Sequence, residues 1–179
     1  LPIQEKIING SFRFFGDFRV IDKDGNELTN EFSPTLKLMF ILISLYTFKG
    51  GKGISTSKLN DIFWFDKSDE QAKNNRGVFM SKLRQILVQL GPINIVNAKS
   101  FCKIELGKEI YCDYYEALLL MEELELESEK DNKTNITSLN TLLSIVSAGE
   151  LLANVQNEWS DPFKADFSNR LVDLLLCLS

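Results

Sequence analysis

The sequence predicts an α+β protein: short N-terminal strands, three helices and a β-hairpin, then an all-helical segment. Three observations carry this. Ser11–Asp22 alternates aromatic and polar residues, the period of a half-buried strand. Three stretches between residues 33 and 90 join helix-start residues to helical spacing of apolar side chains. Two runs of β-formers, Ile93–Val96 and Phe101–Leu106, flank the turn sequence Asn97-Ala98-Lys99-Ser100. The expected division is a first domain over residues 1–112 and a helical one over 113–179.

Each element has its own signal. Phe12, Phe14, Phe18 and Val20 are the apolar positions of two short strands bent at Gly16–Asp17. Asp24-Gly25-Asn26 reads as a turn, and Glu27–Phe32 is expected to add a third strand. Ser33 as N-cap with Pro34 at the first position opens a helix. Its apolar run, Leu38 to Tyr46 broken by Ser44, is shorter than the about 18–20 residues that cross a bilayer, so it reads as a buried helix. Lys49-Gly50-Gly51-Lys52-Gly53 ends it. This cluster lacks the GxxxxGK[ST] spacing of a phosphate loop and no strand leads into it.

Ser55 or Thr56 starts a second helix through Phe63. Ser68-Asp69-Glu70-Gln71 fits a capping box, which predicts a third helix from Asp69 to Leu90, stopped by Gly91-Pro92. Beyond the hairpin, Glu109–Cys112 reads as a further strand, and Asp113 as the cap of a helix through Glu127. Ser128–Thr134 is a polar linker. Ile136–Ser147 and Asp161–Leu178 are two more helices, with Trp159 in the connector between them.

Composition narrows the function classes. The 179 residues carry a net charge of -5 and no His, so the commonest general base and transition-metal ligand are missing. Cys102, Cys112 and Cys177 form no CxxC pair and predict buried thiols in a reducing, cytoplasmic setting. Neither a metal nor a cofactor is expected. No signal peptide is visible. The chain begins at Leu1 and ends on an apolar helical pattern, which reads as a piece of a longer protein.

The charge is unevenly spread. Residues 1–115 hold 16 Lys and Arg against 13 Asp and Glu, whereas residues 116–179 hold 4 against 12. Such asymmetry suggests a half that faces nucleic acid and a half that faces something else, or else a solvated acidic helix end at 122–131. Within 71–104 there are six basic side chains (Lys73, Arg76, Lys82, Arg84, Lys99, Lys103) and no acidic one. Local sign matters more than the total, because charge effects are screened within about 10 Å at moderate salt.

On the third helix, Ala72, Phe79, Leu83, Ile86 and Leu90 share one face at 100° per residue, which is expected to pack inward. The opposite arc holds Lys73, Asn74, Gly77, Ser81, Arg84 and Gln85, a donor-rich strip without a carboxylate. Arg84 suits guanine or a phosphate, and Asn74 the edge of adenine. Ser81 and Lys73 suit phosphates. Arg76 and Lys82 flank the strip and are expected to reach the backbone. Gly77 costs the helix up to about 1 kcal/mol relative to Ala, which makes sense where another surface must come close. The hairpin adds Lys99 at its tip and Lys103 beyond it, placed for a minor groove or for phosphates. A solvated amphipathic helix is the competing reading of the same residues.

Strands, three helices and a hairpin make the winged-helix order, and particular residues sharpen the likeness. Leu59-Asn60-Asp61-Ile62-Phe63-Trp64, Ala72-Lys73-Asn74 and Val78-Phe79-Met80-Ser81-Lys82-Leu83-Arg84 closely resemble the OmpR-type DNA-binding domain of the SARP transcriptional activators. Asp113-Tyr114-Tyr115-Glu116-Ala117-Leu118-Leu119 looks like the start of the helical, TPR-like bacterial transcriptional activator domain of that family. Gly149-Glu150-Leu151-Leu152 with Glu158-Trp159 resembles that domain's connector. The resemblance implies a recognition helix in the major groove and an N-terminal sheet made from Phe12–Phe32. It departs at the wing, where Ser100-Phe101-Cys102 replaces the family's Gly-Tyr-Arg element, and in a shortened helical domain.

The expected function is sequence-specific binding of double-stranded DNA by a bacterial transcription regulator, with no catalysis. The acidic helical part would contact RNA polymerase, a sensor module or a partner subunit, and a homodimer or direct-repeat binding would supply specificity. Membrane contact is not expected within this stretch. The alternative is a winged-helix protein-interaction module that no longer binds DNA. Catalysis would have to fall to carboxylate pairs such as Asp66/Asp69 or Glu122/Glu123, which sit at expected exposed turns and faces.

Overall fold

A computed structural model describes residues 10–130 and 133–179, in which the chain is α+β, with six helices and two small sheets among these residues. It divides into two units. One comprises residues 10–11 with Val20–Tyr111, the other Phe12–Arg19 with Cys112–Ser179. The division after Tyr111 lies next to the expected boundary at 112, but residues 12–19 go with the helical unit. The short strands β1 (Ser11–Arg13), β2 (Arg19–Ile21) and β6 (Tyr111–Cys112) lie where the chain passes from one unit to the other.

The first unit is built around α1 (Pro34–Phe48). Ser33 caps it by accepting from the Leu36 amide at 3.3 Å. Its residues are apolar on nearly every side, so it is buried almost all round, as a helix without a polar face must be. Its two buried hydroxyls are satisfied locally: Ser44 donates to the Phe40 carbonyl and Thr47 to the Ile43 carbonyl, each at 2.7 Å. Thr47 Oγ1 also accepts from the Ile104 amide at 3.1 Å, fastening α1 to the following sheet.

That sheet contains a strand the sequence reading did not anticipate. β3 (Ile54–Ser55) pairs antiparallel with β5 (Phe101–Leu106), which pairs antiparallel with β4 (Ile93–Asn97), in the order β3-β5-β4. Two residues carry too little pattern to be seen as a strand. Gly53, just before it, has φ +78, and a Cβ there would collide with the Cys102 carbonyl, so backbone approach explains part of the glycine cluster.

α2 (Thr56–Phe63) starts at Ser55, whose hydroxyl accepts from the Lys58 amide at 3.1 Å. α3 (Asp69–Leu87) opens on the full capping box: Ser68 accepts from the Gln71 amide and Gln71 Oε1 from the Ser68 amide, both at 3.2 Å. The helix stops three residues before the expected Leu90, because Gln89 and Leu90 turn back onto Ile86 and Leu87. The expected third strand over Glu27–Phe32 is absent. Only the bridge Ile21↔Glu27 forms, and Thr29–Glu31 is a 3-10 turn.

The second unit consists of α4 (Asp113–Glu129), α5 (Ile136–Val146) and α6 (Asp161–Leu178), with the aromatic segment 12–19 laid against them. Asp113 does not cap α4 as expected. It is the first helical residue, and its carboxylate accepts from the amides of Phe14 at 2.8 Å, Phe15 at 3.1 Å and Tyr114 at 2.7 Å. Burial pushes its pKa above the ordinary value, against the pull of those three amides. Phe15 packs edge-on against Phe167 at 5.2 Å, and the Leu152 amide donates to the Phe14 carbonyl at 2.7 Å. Leu151 and Leu152 of the connector are buried, and Trp159 is half-buried. Arg170 on α6 grips Glu125 on α4 through Nε and Nη2 at 2.6 and 2.7 Å. Of the expected 128–134 linker, 128–129 are helical and 131–132 lie outside the described residues.

Candidate nucleic-acid interface

The exposed side of α3 follows from its buried side. Ala72, Met80, Leu83, Ile86 and Leu87 are packed inward, so residues about 180° away must face water. Lys73, Asn74, Gly77, Ser81, Lys82, Arg84 and Gln85 are all exposed. Between 73 and 85 this surface has no carboxylate. Asp69 and Glu70, in the first turn, are exposed too. Glu70 lies two turns before Gly77 on the same face, so the strip has an acidic N-terminal end that the sequence reading left out.

Gly77 has open space around it: a Cβ built there meets nothing within 4 Å. Neither packing nor backbone conformation inside the protein requires a glycine at this position. Its conservative replacement, Ala, would only strengthen the helix.

Arg76 corrects the expectation that it reaches the DNA backbone. It is 6% exposed and points into the first unit, where Nη1 donates to Asn60 Oδ1 at 2.8 Å and Nε to Asn97 Oδ1 at 3.2 Å. The physical reason is angular. Arg76 lies about 100° round the helix from Gly77, on the side that meets α2 and the hairpin. Phe79, expected to be fully inward, is only half-buried. Its ring packs on buried Trp64 at 5.8 Å and lies under Lys82 Nζ at 5.6 Å.

Arg84 is exposed but held. Its Nη2 donates to the Ile95 carbonyl on β4 at 2.9 Å, which fixes the guanidinium beside the hairpin. Lys99 stands exposed at the hairpin tip, while Lys103 on β5 is half-buried. Of the six cations between 71 and 104, four are therefore exposed: Lys73, Lys82, Arg84 and Lys99.

Val78 was missed by reasoning that sought polar residues. It is 54% exposed at the edge of the strip, between Asn74 and Lys82 one turn away on either side. The signal was available, since an apolar residue on the polar arc of an amphipathic helix needs an explanation. Chemically, the strip offers cations for phosphates, amides for base edges and one apolar contact suited to a thymine methyl.

Cys102 and Cys112 are buried as expected, and burial pushes both thiols up, away from the reactive thiolate. Cys177 is exposed, against the expectation of buried thiols, because it lies in the last turn of α6 at the rim of an open groove. A groove of about 410 Å³ between α4 and α6 is lined by Glu125, Asp166, Arg170 and Asp173, with Arg170 clamped by Glu125. No group of three or more potential metal ligands occurs among the described residues. No helix among them is long and apolar enough to cross a membrane. No family model matches the chain, and no curated protein matches it significantly.

Proposed function

We propose that this chain is a bacterial transcription regulator that binds duplex DNA through the exposed face of α3, laid in the major groove. The first unit is read as an OmpR-type winged helix of the SARP kind, with β4 and β5 as the wing. The second is read as the start of the helical activator domain that follows in that family, meeting RNA polymerase, a sensor module or a second subunit. One observation carries the reading: from Lys73 to Gln85 the outward face of α3 is donor-rich, open and free of carboxylates. An ordinary solvated helix mixes both signs.

Four exposed cations set the scale. If each neutralises one phosphate, log affinity falls with log salt at a slope of about -3 to -4. Anisotropy titrations of a labelled duplex at several salt concentrations test this, and a flat salt response would contradict it.

A second reading, a winged-helix module that binds protein instead, draws on the burial of Arg76 and half-burial of Lys103, which remove two cations from the surface. A Lys73→Ala/Arg84→Ala variant separates the two. Unchanged DNA affinity with loss of a protein contact would favour the second.

A further inference from the structure

Arg76 is a buried cation whose hydrogen-bond partners among the described residues are neutral: Asn60 Oδ1 on α2 and Asn97 Oδ1 at the end of β4. Taking a guanidinium out of water is costly, and an apolar side chain of similar size is often as stable or more so at such a site. Stability is therefore a poor account of this arginine. What its two bonds do achieve is to join α3, α2 and the base of the hairpin tip at one point.

The tip itself is held from several sides. Asn97 Oδ1 also accepts from Cys102 Sγ at 3.4 Å. The Ala98 amide donates to the Phe101 carbonyl at 2.9 Å, closing the turn. Thr56, at the start of α2, donates its amide to the Ser100 carbonyl at 3.0 Å and its hydroxyl to the Ala98 carbonyl at 3.4 Å. The residues on both sides of Lys99 are thus tethered, while Lys99 is exposed. Arg84 adds a second tie between α3 and β4 at Ile95, two residues from Asn97.

We infer that Arg76 is a positioning residue that holds the hairpin tip at a fixed place beside α3, so that Lys99 meets a phosphate of the same duplex the helix occupies. This rests on the DNA-binding reading above. Its logic is preorganisation: a cation on a tethered tip pays less ordering cost on binding than one on a free hairpin. Arg76 itself touches no DNA.

The test uses the full chain with Arg76→Met, Asn97→Ala, Lys99→Ala and the Arg76→Met/Lys99→Ala double variant. Binding is read by anisotropy on a mixed-sequence duplex of about 30 base pairs across a salt series, and amide hydrogen exchange at 98–101 is read on the free protein. Lys99→Ala should reduce the magnitude of the salt slope by about 0.9, one phosphate. Arg76→Met should do the same, and the double variant should lose no more than either single one. Exchange at 98–101 should quicken in Arg76→Met and Asn97→Ala.

If Lys99→Ala still costs a full phosphate in the Arg76→Met background, or exchange at the tip is unchanged, the positioning role is overturned while DNA binding stands. A wild-type protein with no salt-dependent binding overturns the DNA reading and the role of Lys99 with it. Should Arg76→Met fail to fold, Asn97→Ala, which keeps the bond to Asn60, carries the same comparison with Lys99→Ala.

Discussion

The two units present different surfaces. The first exposes a polar face on α3 that is free of carboxylates from Lys73 to Gln85, and among its described residues the large exposed apolar side chains are Phe65, Val78 and Val88. The second exposes Tyr115, Leu119, Leu126, Ile136, Leu143, Val172 and Leu176, and its stretch 116–179 holds 12 acidic residues against 4 basic. A surface built to meet a polyanion needs fixed donors and no like charge. A surface built to meet protein needs apolar side chains that water does not hold strongly. The two surfaces suit different kinds of contact, and substitutions in either unit test the difference.

The largest expected effect is on the first unit. Lys73→Ala/Arg84→Ala should weaken binding to duplex DNA about a hundredfold, taking about 1–3 kcal/mol for each strong contact. Asp173→Ala/Glu129→Ala in the second unit should leave that affinity within about twofold, since neither residue belongs to the face of α3 read as meeting DNA. Equal losses from both variants, in a titration at fixed salt, would dissolve the contrast.

Next is Asp113, which anchors segment 12–19. Asp113→Ala leaves three amides without their acceptor and should lower unfolding stability by about 2–3 kcal/mol, read by denaturant titration. The pH dependence has a definite sign. The native pKa lies above the unfolded value, so the native state binds this proton first. The stability linked to it is fully present below 3.8 and is lost as pH rises through the raised native value. Asp113→Asn should remove that slope, and an unchanged slope would show that other carboxylates cause it.

A smaller effect is expected at Gly77, with opposite signs in two assays. Gly77→Ala should raise stability by up to about 1 kcal/mol, since the added methyl meets nothing, and should lower DNA affinity if the helix lies close to the groove floor. Gain in both assays would mean that no surface approaches there. Smallest of all, Leu176→Ser on the outer face of α6 should change stability by no more than about 0.5 kcal/mol, because its side chain is already in water.

How far the sequence carries is clearest at α3. The capping box, the start at Asp69 and the outward arc from Lys73 to Gln85 depend on local bonds and helical period, and all were legible. Arg76 was not. Its fate depends on Asn60 and Asn97, which are 16 and 21 residues away and meet it only in the folded unit. Asp113 shows the same limit across 99 residues: a plausible N-cap by type, it is used instead to hold the amides of Phe14 and Phe15. β3 was hidden by its length, and Glu27–Phe32 had strand-like composition but found only one bridge to pair with. Val78 carries neither charge nor a place in the apolar periodicity of α3, so neither pattern taken alone marks its exposure.

A backbone amide shift map on adding duplex DNA decides whether the outward face of α3 is the DNA-binding surface. If it is, the largest shifts fall at Lys73, Asn74, Gly77, Ser81, Arg84 and Gln85, with Lys99 following and α6 unmoved. Shifts confined to α4, α5 and α6, or none at saturating duplex, would contradict it.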